Sequence, residues 1–538
     1  MRKFNLLDEK WILVLDRKCD VQELSLLDVF RQPKEISCLA NELPTVDIAI
    51  LRLLLAIIHA SLAREIKNEE EAIELWRSLW EHGLPFEKIE AYLEQWRNRF
   101  YLFDDKYPFF QVTFVEPPKD ITYTYKSANN LNGEISEPDE KSPNLFAGQR
   151  DRSKLSYPEA ARWLVHLNSF DIAPAGTPGK APIRLKGYGL GYLSQIGVIW
   201  LKGDNLHQTL MLNFVLLDKN RRPWKENKPY WETCKVLDES YLKELQARDF
   251  EIPWPTNLAE LYTTQWRKVR LVDNGTAVEG YELWAGCKMK NNSGSPEPMT
   301  MWRQSDANEY KPILHQASRQ LWRDFSALAV KDTEDTRPRI ITWLDILKEN
   351  EIELPLLRFC TAAISYTKNT KINDTFSDSL SFNADLLTKV GEKWTIRISE
   401  AISATDQAVN AVGTLAAELV ESLGDKRDKQ RKPGPAMAGM QDAAKAEGYF
   451  RLDEPFRAWL ESIDPKTDQI SVKLNEWYEK SYRILSKLGD ELVDQMGTRA
   501  FIGTSNNGNY INSSIAYNKF ISKISRMLRK GVETGNEG

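Results

Sequence analysis

One glycine-rich segment of the chain has residue types that could bind phosphate. It runs from Gly176 to Ala181 and reads Gly-Thr-Pro-Gly-Lys-Ala. A phosphate-binding loop needs an earlier glycine where this chain has Pro174, and a magnesium-binding hydroxyl where it has Ala181. The glycines at 187–191 likewise lack the spacing of a dinucleotide-binding turn. These glycines therefore predict an exposed loop, and they do not predict a nucleotide site.

Other arrangements that carry chemistry are also missing from the sequence. No G-x-S-x-G or HExxH motif occurs, and the cysteines are scattered without a CxxC pair. Metal sites need clustered donors, whereas the histidines are isolated. We therefore expect no metal, no cofactor and no enzyme activity, although an enzyme with a non-contiguous site stays open as an alternative. The isolated histidines are His59, His82, His166, His207 and His315.

Composition restricts the kind of partner and the compartment. The chain has 538 residues and a net charge of −5, which argues against a free-standing protein that coats DNA. This net charge is still compatible with a nucleic-acid contact made by a few placed residues inside a larger assembly. The most apolar stretch, residues 48–63, carries Arg52 and His59 and is short for a bilayer, so we expect a buried core helix and no membrane partner. Asp8 to Lys10 interrupt any signal peptide, which predicts a cytoplasmic protein.

An amphipathic helix organises the middle of the chain. Ser156 is a typical N-cap, Pro158 and Glu159 fit the first turn, and apolar residues follow at helical spacing up to residue 167. A loop with the apolar pair Leu145-Phe146 precedes this helix, and the glycine segment follows it. We expect both loops to contact nucleic acid.

The remaining patterns predict an α+β protein. Asp273-Asn274-Gly275 between two apolar runs indicates a β-hairpin, and 339–344 and 359–366 suggest further strands. From about Ser379 onward no strand signal is seen, and four long amphipathic stretches predict an up-down helix bundle. The expected architecture is a large mixed α/β N-terminal domain, 1–378, followed by a C-terminal four-helix bundle, 379–538.

The last helical stretch has an unusual charge distribution. No acidic residue occurs from Met496 to Val532, while several basic residues do. This pattern would suit a helix that faces a DNA strand, and it would equally suit a solvated face with favourable charge at a helix C-terminus. The candidate DNA-strand contacts are Lys519, Lys523, Arg526 and Lys530.

Several motifs, taken in order, resemble one known family. The chain is similar to the large subunit of the type I-E Cascade complex, the CRISPR surveillance complex, known as the Cse1/CasA family. The resemblance covers nearly the whole chain. The motifs that carry it are Phe4 to Ile12, Leu51 to Ile57, Tyr107-Pro108-Phe109-Phe110-Gln111, Asn144-Leu145-Phe146, Glu159 to Leu164, and Gly203 to Leu206 with Leu212-Asn213.

This resemblance implies a non-catalytic binding protein. It implies recognition of the protospacer-adjacent motif in double-stranded DNA, local unwinding of the duplex, and recruitment of a helicase-nuclease. The implied partners are the DNA target, the 5′ end of the guide RNA, the other Cascade subunits and the helicase-nuclease. It also implies an N-terminal α/β domain followed by a C-terminal helix bundle.

The resemblance also assigns roles to particular residues. It implies that a loop anchors the subunit to the guide RNA and to neighbouring subunits, and that a glycine loop and a basic residue enter the minor groove. A hairpin tip would wedge into the duplex, although Thr370 stands where the family usually has glutamine. The matching positions are Leu145, Phe146, Ala147 and Gly148 for the anchoring loop, Gly176 and Gly179 for the glycine loop, Arg303 for the basic residue, and Asn369, Thr370 and Lys371 for the tip.

A different class of function stays open beside this one. In it, the basic helix and the loops contact acidic partner proteins, so that the chain is a protein-only scaffold without direct DNA readout. Salt-dependent binding to duplex DNA separates a reader of DNA from such a scaffold.

Overall fold

The computed structural model describes residues 2–116, 118, 121–132, 154–170, 183–184, 190–289, 297–304, 310–330, 336–366, 372–425, 432–506 and 509–533. Helices and strands alternate irregularly along the first 380 residues, and long helices dominate the rest. The α-helices are α1 Leu26–Arg31, α2 Pro44–Leu62, α3 Glu69–His82, α4 Phe86–Gln95, α5 Ala128–Leu131, α6 Tyr157–Phe170, α7 Leu206–Asn213, α8 Tyr230–Thr233, α9 Glu239–Ala247, α10 Leu258–Thr263, α11 Phe325–Ala329, α12 Arg339–Glu349, α13 Glu392–Ser422, α14 Pro435–Glu461, α15 Ile470–Asp494, α16 Gly497–Ile502 and α17 Ser513–Glu533.

Most of the described strands are short, and they form several small sheets. Three of these sheets have three strands, in the orders β11-β12-β7, β17-β16-β9 and β3-β2-β4. The strands are β1 Lys3–Asn5, β2 Ile12–Asp16, β3 Val21–Leu24, β4 Ile36–Leu39, β5 Tyr101–Phe103, β6 Ile121–Thr122, β7 Thr124–Ser127, β8 Ile183–Arg184, β9 Ile199–Lys202, β10 Glu251–Ile252, β11 Arg267–Asp273, β12 Val278–Gly286, β13 Lys288–Met289, β14 Trp302–Gln304, β15 Tyr310–Pro312, β16 Leu357–Tyr366, β17 Ile372–Phe382, β18 Thr504–Asn506 and β19 Asn509–Ile511.

The chain divides into two compact units. The first comprises Met1–Ala317, Glu334–Glu353 and Arg358–Ser379, and the second comprises Ser318–Thr333, Leu354–Leu357 and Leu380–Gly538. Ser318–Thr333 and Leu354–Leu357 thus belong to the same unit as the C-terminal part. The two units are therefore not separated by a single boundary in the sequence.

The core of the first unit is built on α2. Its composition and length would allow it to cross a membrane, yet 83% of its apolar window is buried inside the protein. Arg52 and His59, the two residues that interrupt the apolar run, are themselves buried. The prediction of a buried core helix is confirmed, and packing of this helix against α4, α6, α7 and α10 explains why nearly every side of it is apolar.

The second unit contains a four-helix bundle. Helix α13 packs against α14, α15 and α17, and α15 packs against α14 and α17. Helices α13 and α14 are antiparallel, because Tyr449 donates to Asp406 while Lys445 lies against Gly413. Helices α14 and α15 are antiparallel as well, because Arg451 pairs with Glu491 while Trp459 stacks on Trp477. The predicted fold class, a mixed α/β part followed by a C-terminal helix bundle, is confirmed.

Three local predictions were wrong. Residues 339–344 are the start of helix α12, not a strand. The first bundle helix begins only at Glu392, because β17 continues to Phe382 and short 3-10 turns follow. A small hairpin, β18–β19, also occurs beyond residue 379, where no strand was expected.

Candidate nucleic-acid interface

Arg303 lies on an exposed β-hairpin. It is the middle residue of β14, and the register of the pair places it directly opposite Lys311 of β15. Both side chains are exposed. Residues directly opposite each other on paired strands lie on the same face, so the hairpin presents two cations to one side. That arrangement suits a polyanion such as a phosphate backbone.

A buried ion pair holds the segment that leads to this hairpin. Arg52 of α2 donates two hydrogen bonds to Glu297, at 2.9 and 3.0 Å, and both side chains are almost fully buried. Burial alone would lower the pKa of Arg52, but the Glu297 carboxylate raises it above its ordinary value. The same carboxylate accepts the backbone N–H of Met299. Arg303 therefore extends from a segment fixed to the core helix.

Backbone contacts also attach the segment before the hairpin to residues 198–199, at the start of β9. The N–H of Ile199 donates to Met299, and Thr300 pairs with Val198 in antiparallel fashion. Gly197 lies so close to the base of the hairpin that a Cβ there would be 2.0 Å from the carbonyl oxygen of Ile313. Only glycine permits this approach, so the hairpin base is seated firmly on residues 197–199.

The β16–β17 hairpin, which leads to the predicted wedge, pairs with the strand that follows residues 197–198, namely β9. On its other edge β9 pairs antiparallel with β16, with Arg358 opposite Lys202 and Thr361 opposite Ile199. Residues 299–300 and β16 therefore run in the same direction as they pass the N-terminal end of β9. At about 3.3 Å per residue, Arg303 and Tyr366 lie on the order of 10 and 16 Å beyond that end.

Helix α6 ends at the same place. The carbonyl of Phe170, its last residue, accepts a hydrogen bond from Ser194 at 3.2 Å. A Cβ on Gly191 would lie 2.5 Å from the carbonyl oxygen of Ser169, so residues 190–195 are packed tightly on the end of the helix. The glycine segment, Gly176 to Ala181, follows Phe170 along the chain after five intervening residues.

Residues 190–198, here named the base segment, contact both the end of α6 and the base of the Arg303 hairpin. Helix α6 ends against the base segment, the Arg303 hairpin is seated on it, and β16 runs past the strand that follows it. The Arg303 hairpin and β16 both extend past the N-terminal end of β9, so they can meet one stretch of duplex. The sequence alone did not predict this proximity, because Phe170, Arg303 and Tyr366 are more than 60 residues apart along the chain.

The other end of α6 supports the predicted anchoring loop. Ser156 caps the helix as predicted: its hydroxyl oxygen accepts the backbone N–H of Glu159 at 3.4 Å, and the Glu159 carboxylate accepts the backbone N–H of Ser156. Just before the cap, Leu155 pairs with Val278 at the start of β12. β7 pairs with residues 280–283 of the same strand. The chain on either side of residues 133–153 is therefore held by one strand.

The cations of α17 lie along one face. Lys519, Lys523 and Arg526 are exposed at helical spacing beside a buried stripe that includes Phe520 and Ile524. Lys519 is 3.9 Å from Glu418 of α13. At this distance the exposed Lys519 is held only weakly by Glu418, so this face can still attract an anion. Lys530 belongs to the same helix, but its side chain lies outside the described part of the structure.

Most of the predicted loop residues lie outside the residues that the structure describes. Their roles stay predictions, while Arg303 and the α17 cations, Lys530 apart, have described side chains. The residues outside the described ranges are Leu145, Phe146, Ala147, Gly148, Gly176, Gly179, Asn369, Thr370 and Lys371.

Sequence reasoning missed Arg52 and Glu297 as supports of the site, and Lys311 as the neighbour of Arg303. A charged residue within an apolar run, such as Arg52, signals that a buried partner exists. The sequence does not reveal that partner, because Glu297 lies 245 positions away. Among the described residues, no group of three or more histidine, cysteine or acidic side chains could hold a metal.

The fold and the exposed basic hairpin define a class of protein: an α+β protein with a C-terminal helix bundle and an interface suited to nucleic acid. Comparison with known proteins specifies the family. The family model of CRISPR-associated protein Cse1 matches residues 5–488. This chain belongs to the Cse1 family.

Individual relatives agree with this assignment. The CRISPR-associated protein CasA/Cse1 of Thermus thermophilus is 24% identical over 518 residues, 94% of each chain. The crystal structure of Thermobifida fusca Cse1 is 30% identical, covers 98% of each chain and has a TM-score of 0.79. A chain in a structure described as a CRISPR RNA-guided surveillance complex shares the fold, with a TM-score of 0.66 at 16% identity over the full length of both chains.

Proposed function

We propose that this chain is a non-catalytic subunit of a CRISPR RNA-guided surveillance complex, and that it recognises the protospacer-adjacent motif in double-stranded DNA. In this role it also promotes local unwinding beside the motif and recruits the helicase-nuclease. Its partners are the DNA target, the 5′ end of the guide RNA and the other subunits of the complex. Membership of the Cse1 family supports the assembly, as does the fold shared with a chain of a surveillance complex.

One observation carries the DNA-reading part of the proposal: α6 and the Arg303 hairpin are both attached to the base segment, and β16 passes the strand beside it. A reader of a short motif needs its contacting groups on one rigid edge, because a duplex presents only a few base pairs at a time. The buried pair between Arg52 and Glu297 makes the Arg303 hairpin rigid.

Each element contributes differently. Arg303 supplies charge to a narrow groove, where readout is degenerate and several motifs can be accepted. Gly176 and Gly179 allow the backbone to approach the base edges closely. Asn369, Thr370 and Lys371 act at the wedge, where a lysine-rich tip grips phosphates. Leu145 to Gly148 anchor the subunit to the guide-RNA complex, and Lys519, Lys523, Arg526 and Lys530 contact a DNA strand electrostatically.

The test is the affinity of assembled complexes for matched targets that differ only in the adjacent motif. Arg303→Ala should weaken binding to good motifs by about 1–3 kcal/mol, the scale of one base-directed contact. Arg248→Ala is the charge-matched control, because Arg248 is an exposed arginine just after α9 that pairs with Glu244. Equal effects of the two substitutions would leave only a general electrostatic role for Arg303 and would favour the protein-only scaffold.

A further inference from the structure

Three large apolar side chains are exposed together beside the end of the helix bundle. Phe501 is 64% exposed, Ile502 66% and Tyr510 54%. They come from the end of α16 and from β19, while Ala500 and Ile511, their neighbours in sequence, are buried. The buried neighbours fix the backbone, so the exposed side chains are held outward. Phe501, Ile502 and Tyr510 are named the bundle-end platform.

The turn at Gly503, which follows α16, has a tightly defined geometry. Gly503 has φ +75, and a Cβ there would lie 2.3 Å from the carbonyl oxygen of Ile511. The hydroxyl of Tyr510 donates to the carbonyl of Ile502. A left-handed glycine in such close contact brings β19 back against α16, so the platform is a built surface rather than a chance exposure.

The surroundings of the platform favour an anion. The 37 residues from Met496 to Val532 include no acidic residue. Arg499 lies near the end of α13, because a Cβ on Gly424 would be 3.8 Å from its guanidinium.

Two acidic groups of α15 near this end of the bundle are bonded, whereas Asp494, the last residue of α15, is exposed. Asp490 accepts a hydrogen bond from Tyr517. Glu491 pairs with Arg451 at 2.7 Å. These bonds offset part of the negative charge that the neighbouring helices would otherwise present to an anionic ligand.

We propose that the bundle-end platform binds single-stranded DNA by stacking Phe501 and Tyr510 on unpaired bases, with Arg499 beside the phosphates. Exposed aromatic rings among cations are the usual platform for unpaired nucleotides, because every base has a π-face. The proposal deepens the proposed function, since opening a duplex beside the motif releases a strand with unpaired bases.

Stacking predicts a dependence on ring shape. Leucine conserves apolar area but has no π-face, whereas phenylalanine and tryptophan conserve the face. An apolar protein partner would accept leucine in place of either aromatic residue, but a stacked base would not. The comparison of leucine with aromatic replacements therefore separates the two kinds of partner.

The experiment uses the purified full-length chain and a single-stranded oligodeoxythymidine labelled with a fluorophore, at low salt. The double variant Phe501→Leu with Tyr510→Leu should bind about tenfold more weakly than the parent, and Phe501→Trp with Tyr510→Phe should bind like the parent. Thermal unfolding of the two variants should match each other closely, because both lose the Tyr510 hydroxyl and the substituted side chains are exposed.

Equal binding by the leucine variant and the parent would overturn the proposal, as would equal loss in both variants. If the leucine variant binds the oligonucleotide normally but no longer co-purifies with the complex, the platform is a protein-docking surface and the proposal is wrong. The oligonucleotide carries no motif and no other subunit is present. A failure of motif recognition therefore leaves this result unaffected.

Discussion

His59 is fully buried within α2, and both of its ring nitrogens lack a hydrogen-bond partner among the described residues. Its ring packs against Phe214, with ring centroids 4.6 Å apart. Burial lowers the pKa of His59 to about 3, well below its ordinary value of 6.5. The unfolded chain therefore binds a proton below pH 6.5 that the folded chain does not, so folding stability falls as the pH falls.

His59→Phe should raise the free energy of unfolding at pH 7 by about 1–3 kcal/mol, because it removes an unsatisfied polar group from an apolar site. It should also remove about 2 kcal/mol of the stability lost between pH 7 and pH 5. His166 stays in the variant, and burial lowers its pKa to about 3 as well, so part of the acid sensitivity remains. Denaturant unfolding at both pH values measures the difference, and parallel losses in parent and variant would contradict the account.

At the level of residues, the sequence predicted the features that depend on neighbouring residues alone, such as a helix cap. Ser156 as a helix cap follows from residue type and spacing, and the structure confirms it. Burial of Arg52 and His59 was implied by their place in an apolar run. Their partners were not predictable, because Glu297, Phe214 and Tyr262 approach α2 only through tertiary folding.

Packing between elements of the bundle depends on one close contact. Gly489 of α15 faces α17, and a Cβ there would lie 2.3 Å from the ring of Phe520, which is buried. Gly439 of α14 is a matched comparison, since a Cβ there would meet nothing within 4 Å. Both glycines lie inside long helices, where alanine is intrinsically favoured.

Gly489→Ala should therefore destabilise the bundle by about 1 kcal/mol net, because overpacking against Phe520 exceeds the gain in helix propensity. Gly439→Ala should instead stabilise it by up to about 1 kcal/mol. Thermal or denaturant unfolding of the two variants tests the contrast. Stabilisation by both substitutions would show that α15 and α17 can separate at no cost.

At the level of elements, long periodic segments were predictable and short ones were not. The bundle helices and the hairpin at Asp273–Gly275 follow from periodicity and turn residues. Helix α12 was predicted as a strand because residues 339–347 are buried on nearly all sides, so no helical period is visible. β18 and β19 are three-residue strands that show no apolar alternation.

For the whole molecule, α6 would separate the two proposed tasks, attachment to the complex and reading of the motif. Its 14 residues span about 21 Å, with the strand that holds the anchoring-loop ends near its start and the base segment at its end. Attachment to the complex and reading of the motif would therefore occupy different places on the first unit. That separation predicts that each task can be lost without the other.

Phe146→Ala should weaken association with the guide-RNA complex and leave the isolated fold intact. Truncation of an aromatic anchor at an interface typically costs on the order of 2 kcal/mol or more. Co-purification with the other subunits measures the effect, and circular dichroism of the chain alone is the control. Recovery of the variant complex at parental yield would show that another surface anchors the subunit.

The most direct test of the account is motif ranking by complexes that carry Gly179→Asp. An aspartate there would keep the backbone off the base edges and repel phosphates, while stability should change little if the loop is exposed. Binding is measured on matched DNA targets that differ only in the adjacent motif. The account predicts that the variant no longer distinguishes good motifs from bad ones, whereas a variant that ranks motifs as the parent does would contradict the claim that the glycine loop reads them.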